Sequence, residues 1–307
     1  MEGKDLYAHI NGTRIFFDID GKEWVPAEDN DFVLRQKPVC FVLHGGPGSD
    51  HTSYLPALDP LTRFMQLVYV DYRGNGRSGF SDEQTWTIAQ NVEDIEALRR
   101  YLGFEKIVIF GQSYGGIVAQ SYGIRYTENL AALILVTTAA SHSAFDRARE
   151  ELKRRGNGAQ IAIAEKYLWD GRFPDNETYL DYYRLFADLY TGSPESARLF
   201  AGYAAREILS YRALNRAFGG DLKTFDFLPD LSRIICPALL IGGRHDWITP
   251  VSCTLEIAER LADCKTVIME ESSHSVFSDQ YDETLAEIIA FVRERLASSP
   301  EPVVRPS

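Results

Sequence analysis

The stretch Ile107-Val108-Ile109-Phe110-Gly111-Gln112-Ser113-Tyr114-Gly115-Gly116 decides how this chain is read. With Lys106, its first half is a short apolar run that ends in a glycine. Such a run fits a strand buried on both faces of a sheet. Its second half is G-x-S-x-G with an extra glycine, and a helical pattern follows over 115–126. A turn this tight between strand and helix forces the serine backbone into strain. Small residues two positions to either side let the two elements close up. The Ser113 hydroxyl then stands clear at the carboxyl edge of the sheet. The next N–H, from Tyr114, lies at a helix N-terminus, where an oxyanion is favoured. These residue types in this order point to Ser113 as a nucleophile and Tyr114 as an oxyanion donor.

Moving outward, similar apolar runs recur at 39–43, 66–70 and 132–136. Between them, Ile88, Val92, Ile95, Leu98 and Leu102 form a helical stripe that Gly103 stops. Strand, helix and strand at this rhythm predict right-handed βαβ units and a parallel sheet. A further strand is expected at 14–18, between the turn dipeptides Asn11-Gly12 and Asp20-Gly21, and a loop or irregular hairpin at 23–37. The rhythm breaks after Ala140. Helical stretches dense in aromatics follow at 147–155, 159–169, 176–189 and 194–217. Strands resume at 238–241 and 266–269, and a helix over 283–296 closes the pattern. The expected plan is one core made of 1–140 and 225–300, a helical insertion at 141–224, and a disordered tail at 301–307.

A serine hydroxyl needs a base. Among six histidines, chain order selects His274, which follows the last expected strand as Ser273-His274. Asp246, in Gly242-Gly243-Arg244-His245-Asp246 after the preceding strand, is placed to orient that imidazole. His245 is a competitor for the base, but a neighbour of Asp246 in sequence rarely points into the same site. The run at 39–43 leads into His44-Gly45-Gly46-Pro47-Gly48, whose Gly46 N–H is assigned as the second oxyanion donor, with Gly45 as the fallback. Asp71 and Arg73 are expected to shape the loop beneath the site. Gly45, His142, Glu207 and Trp247 are the candidate substrate contacts.

The chain has 307 residues, with 32 Lys and Arg against 44 Asp and Glu, a formal charge of −12. That balance disfavours nucleic acid and anionic membrane as partners, because the main affinity term would be repulsive. No run is long enough to cross a bilayer. Four cysteines without C-x-x-C spacing argue against a metal or redox site, and no cofactor is expected. With no basic start before an apolar block, the expected location is the cytoplasm. The expected partner is a small molecule or short peptide, with a homo-oligomer possible.

Together these segments resemble the α/β-hydrolase fold, and more narrowly the proline iminopeptidase family of serine peptidases. The resemblance is carried by His44-Gly45-Gly46-Pro47-Gly48, Asp71-x-Arg73-Gly74-x-Gly76-x-Ser78, Gly111-x-Ser113-Tyr114-Gly115-Gly116, the Gly243-x-x-Asp246 loop and Ser273-His274. It implies a mostly parallel sheet flanked by helices, with a helical cap inserted after the sixth strand. It also implies release of an N-terminal residue, usually proline, with cap carboxylates holding the substrate ammonium. The family's Asn-Glu-Phe is replaced here by Arg216-Ala217-Phe218, and its D-Q-R-G reads Asp71-Tyr72-Arg73-Gly74. Glu195 and Glu207 remain as amine ligands. The alternative is an esterase or lactonase for an uncharged small molecule, with the amine site lost. Relatives on this fold that attack halides or epoxides use a carboxylate at the elbow, and Ser113 argues against them.

Overall fold

The structure is a computed structural model that describes residues 6–27 and 30–296. The expected tail at 301–307 lies outside the described residues. The chain opens with β1 (Leu6–Ile10) and β2 (Thr13–Asp20), then a hairpin of β3 (Trp24–Ala27) and β4 (Asn30–Gln36). There follow β5 (Val39–Leu43), β6 (Gln66–Val70), α1 (Ile88–Tyr101), β7 (Ile107–Gln112), α2 (Tyr114–Arg125) and β8 (Leu130–Val136). Helices α3 (Ala144–Arg155), α4 (Gly158–Ile163), α5 (Asn176–Tyr190), α6 (Pro194–Ala204) and α7 (Tyr211–Phe218) come next. The chain closes through β9 (Ala238–Gly243), α8 (Val251–Ala258), β10 (Cys264–Met269), α9 (Val276–Asp279) and α10 (Tyr281–Leu296).

Eight strands form one sheet in the order β1-β2-β6-β5-β7-β8-β9-β10, and β3 and β4 pair separately. Pairing is antiparallel at β1–β2 and β2–β6, and parallel from β6 through β10. The parallel strands β5 to β9 are buried on both faces, which is why they read as unbroken apolar runs, whereas the edge strand β10 is half-buried. Val39, Phe41 and Leu43 of β5 join the cluster beneath α1 and α2, while Cys40 and Val42 join the one beneath α10. The helical segment enters after β8, the sixth strand of this sheet in chain order, as expected.

Several elements depart from the sequence reading. β1 was not expected, and the mixed stretch at 23–37 is a regular hairpin. α8 is also new. The helix expected at 159–169 is α4 followed by a π turn, Ala164–Leu168. The helix expected over 194–217 is two helices, α6 and α7, with a break between them. Its cause lies in hydrogen bonds from the core. The Ile208 N–H donates to Asp50 Oδ2 at 3.2 Å and the Ser210 N–H to the Gly48 carbonyl at 2.8 Å. Ser210 then caps α7, its Oγ accepting from the Ala213 N–H. Those partners hold the backbone out of the helical ladder. Glu207 sits in this break, where a continuous helix would have placed it on a helical face.

Candidate active site

Ser113 occupies the turn between β7 and α2 with φ 55° and ψ −120°. That left-handed backbone is strained for a side chain other than glycine and is held by its surroundings. Its N–H donates to the Val136 carbonyl at 3.0 Å, and its carbonyl accepts from Thr138 Oγ1 at 2.7 Å. The two flanking glycines are required by close approach. A Cβ on Gly111 would lie 2.5 Å from the Gly115 carbonyl oxygen, and one on Gly115 would run into the Leu43 carbonyl.

β9 and β10 deliver the acid and the histidine to the same edge. His274 Nδ1 lies 2.8 Å from Asp246 Oδ2. A carboxylate only accepts, so it holds the imidazole proton on Nδ1 and leaves Nε2 as the basic nitrogen. Asp246 is itself fixed. Its Oδ1 accepts from the N–H groups of Ile248 at 2.9 Å and Thr249 at 3.0 Å. Thr249 Oγ1 donates to Oδ2 at 2.7 Å. Both residues are buried, and the Tyr190 ring stands edge-on to the imidazole at 5.5 Å. His245 is exposed and lies outside the cavity that holds Ser113.

Ser113 and His274 line one cleft of ≈ 820 Å³, counted to its open mouth. Gly45, Gly46 and Glu207 line it too. The Gly45 N–H donates to Tyr54 Oη at 3.1 Å. Among the described residues, the N–H groups of Gly46 and Tyr114 have no protein acceptor. The two glycines therefore differ, and the one assigned first carries the free donor. Glu207 Oε2 accepts from Ser49 Oγ at 2.5 Å, and burial pushes the carboxyl up to about 8.

Two other candidate contacts are corrected. His142 is exposed and lines neither chamber at Ser113, its Nδ1 3.0 Å from the Phe225 carbonyl. Trp247 is fully buried among Trp169, Phe186 and Tyr190. Its indole supports the Asp246 loop and does not face the cleft. Glu195 is exposed in the first turn of α6 and also lies outside the cleft.

Sequence reasoning missed a second chamber of ≈ 480 Å³ on the other side of Ser113. Gly46, Ser113, Tyr183 and Tyr190 line both chambers. The signal was the aromatic density of the helical segment, which by itself does not distinguish packing from lining. Beneath the site, Asp50, His51 and Asp71 cluster within 4.8 Å. Asp71 accepts from the His51 ring and from the Arg77 N–H, and Asp50 from Thr52, Arg77 and Ile208. Protein donors thus occupy these carboxylates, and the cluster braces the loop. Arg73 pairs instead with Asp94, at 2.6 Å.

The model for the alpha/beta hydrolase fold matches residues 38–281. A proline iminopeptidase of Pestalotiopsis fici, PfmaB, is 31% identical over 284 residues, covering 90% of this chain and 95% of that one. A proline iminopeptidase of Saccharolobus solfataricus is 28% identical, covering 81% and 83%. Among solved structures, a proline iminopeptidase of Mycobacterium smegmatis superposes with a TM-score of 0.74 at 20% identity, covering 96% of this chain and all of that one (100%). The esterase EaEST of Exiguobacterium antarcticum superposes with a TM-score of 0.71 at 18% identity, covering 94% and 100%. An elbow serine beside a buried Asp–His pair, on a sheet of this order and in a chain so matched, leads to one conclusion: the chain belongs to the alpha/beta hydrolase fold family, and proline iminopeptidases are among its homologues.

Proposed function

We propose that this hydrolase works through a Ser113 acyl-enzyme on a small amide or ester. Ser113 Oγ adds to the substrate carbonyl while His274 takes its proton, and Asp246 holds the imidazole in register. The Gly46 and Tyr114 N–H groups receive the oxyanion. His274 then protonates the leaving group, and water repeats the sequence to free Ser113. The single observation that carries this reading is the 2.8 Å His274–Asp246 contact in the cleft that Ser113 lines from a strained turn. Residues 141–224 act as the cap, because Tyr183, Tyr190, Phe200 and Glu207 from that segment line the cleft. All four cysteines are free thiols, which suits a reducing cytoplasm.

Two substrate classes fit this machinery. Release of an N-terminal residue is supported by the relatives' names and by Glu207, the one carboxylate lining the cleft among the described residues. An esterase or amidase for an uncharged acyl group is supported by the aromatic second chamber. Ser113→Ala should lower turnover on the order of 10⁶-fold and abolish labelling by a fluorophosphonate, with an unchanged circular dichroism spectrum. Retained turnover in that variant would overturn the mechanism.

A further inference from the structure

The two chambers that meet at Ser113 differ in three ways that together orient a substrate. The first is charge. The open chamber carries Glu207, His274 and the hydroxyls of Ser49 and Ser53, whereas no Asp, Glu, Lys, Arg or His lines the second. The second is access. Tyr114, Leu168, Tyr179, Tyr182, Leu214 and Leu222 of the second chamber are each 5% exposed or less. Phe200, Tyr203 and Ser278 of the first are half-buried and open it to solvent. The third is proton delivery. His274 lines only the open chamber.

Chemistry assigns the halves of a substrate to these spaces. A leaving group must be reached by the proton that His274 carries, and it must depart before water attacks the acyl-enzyme. Only the open chamber offers both. An acyl group stays on Ser113 between the two steps, takes no proton on the way, and leaves only after water has cleaved it off as the acid. An ammonium on that acyl group would be buried without a counter-charge, because the tyrosine hydroxyls there bond to one another. Tyr179 and Tyr183 oxygens are 2.8 Å apart, and those of Tyr182 and Tyr190 are 2.7 Å apart. Burying an unpaired charge is costly.

We propose that the substrate is an ester or amide of an uncharged apolar acyl group, which fills the aromatic chamber, and that its leaving group bears a basic amine that takes the Glu207 proton and pairs with the resulting carboxylate in the open chamber. This rests on the serine-hydrolase reading. It differs from N-terminal residue release, in which the amine belongs to the acyl half. In the step itself, the Ser113 Oγ–acyl bond forms and the acyl–leaving-group bond breaks. The Oγ proton passes through His274 to the departing oxygen or nitrogen.

Two isomeric esters separate the orientations. One is the 2-(dimethylamino)ethyl ester of 3-phenylpropanoic acid, and the other is the 2-phenylethyl ester of 3-(dimethylamino)propanoic acid. The expected result with the wild-type enzyme is a kcat/KM about 100-fold higher for the first. Glu207→Gln should lower kcat/KM for that ester about 10-fold more than it lowers kcat/KM for ethyl 3-phenylpropanoate. Equal rates, or preference for the second isomer, would overturn the orientation while leaving the hydrolase reading intact. So would a protein that a fluorophosphonate labels at Ser113 but that splits neither ester. Absence of both labelling and hydrolysis would instead sink the serine mechanism itself.

Discussion

Asp246 holds its own loop with Oδ1 and the His274 ring with Oδ2. Asp246→Asn keeps the shape but can donate where the carboxylate only accepted. The imidazole would then turn to the wrong tautomer. Under the proposed mechanism kcat should fall on the order of 10⁴-fold while Tm changes little, and a kcat within tenfold of wild type would remove Asp246 from the triad. Glu207 makes a different prediction, because burial raises its folded pKa to about 8 against an ordinary 4.5. Above the unfolded pKa, the unfolded chain loses this proton while the folded one keeps it. The folded state then binds more protons, and stability falls as pH rises between about 4.5 and about 8. Glu207→Gln removes that slope. Melting curves should therefore show Tm of the variant rising relative to wild type from pH 5 to pH 8. Parallel curves would contradict the buried, protonated carboxyl. The residues of the elbow, the acid and the histidine were legible in the sequence, because each follows a strand end and chain order is dictated by topology. His142 and Trp247 were misplaced because residue type alone does not show which way a side chain faces. A tryptophan beside the Asp246 loop is as useful for packing as for contact.

At the scale of elements, the inner parallel strands β5 to β9 and α1 were plain because their burial is two-sided or striped. The break between α6 and α7 was hidden, since 194–217 has no Pro or Gly strong enough to end a helix except the exposed Gly202. It is imposed from outside, by the Gly48 carbonyl and the Asp50 carboxylate. Tertiary partners thus override a local pattern and bring Glu207 to the cleft. Ser210 is the local contribution, as the cap of α7. Ser210→Ala should cost about 1 kcal/mol in urea unfolding. Because that residue sits three positions from Glu207, the same change should raise KM more than it lowers kcat. A variant with lost stability and an unaltered KM would show that the break does not position the carboxyl.

For the whole molecule, the question is whether the inserted helices behave as a separate body. One apolar cluster answers it. It runs without interruption from Phe41 and Leu43 of β5, through Ile117 and Tyr122 of α2, to Tyr179, Tyr182 and Phe186 of α5. Trp247, from the Asp246 loop, lies 5.2 Å from Phe186 and 6.3 Å from Trp169, ring centre to ring centre. Tyr179 Oη also donates to the Pro47 carbonyl, in the loop after β5, at 2.9 Å. Separating the insertion from the core would expose these rings and break the pocket walls together. A joint of that kind couples the two parts energetically, since fully burying each large apolar side chain is worth roughly 1.5–3 kcal/mol. Unfolding should therefore be a single transition. Tryptophan fluorescence of a variant in which Trp24 and Trp86 are replaced by Phe, leaving Trp169 and Trp247 at the joint, should have the same urea midpoint as far-ultraviolet circular dichroism, which reports all helices and strands. An earlier fluorescence transition, with most secondary structure retained, would mean that the insertion opens on its own. The chambers on either side of Ser113 would then be the property of a mobile lid, not of a fixed wall.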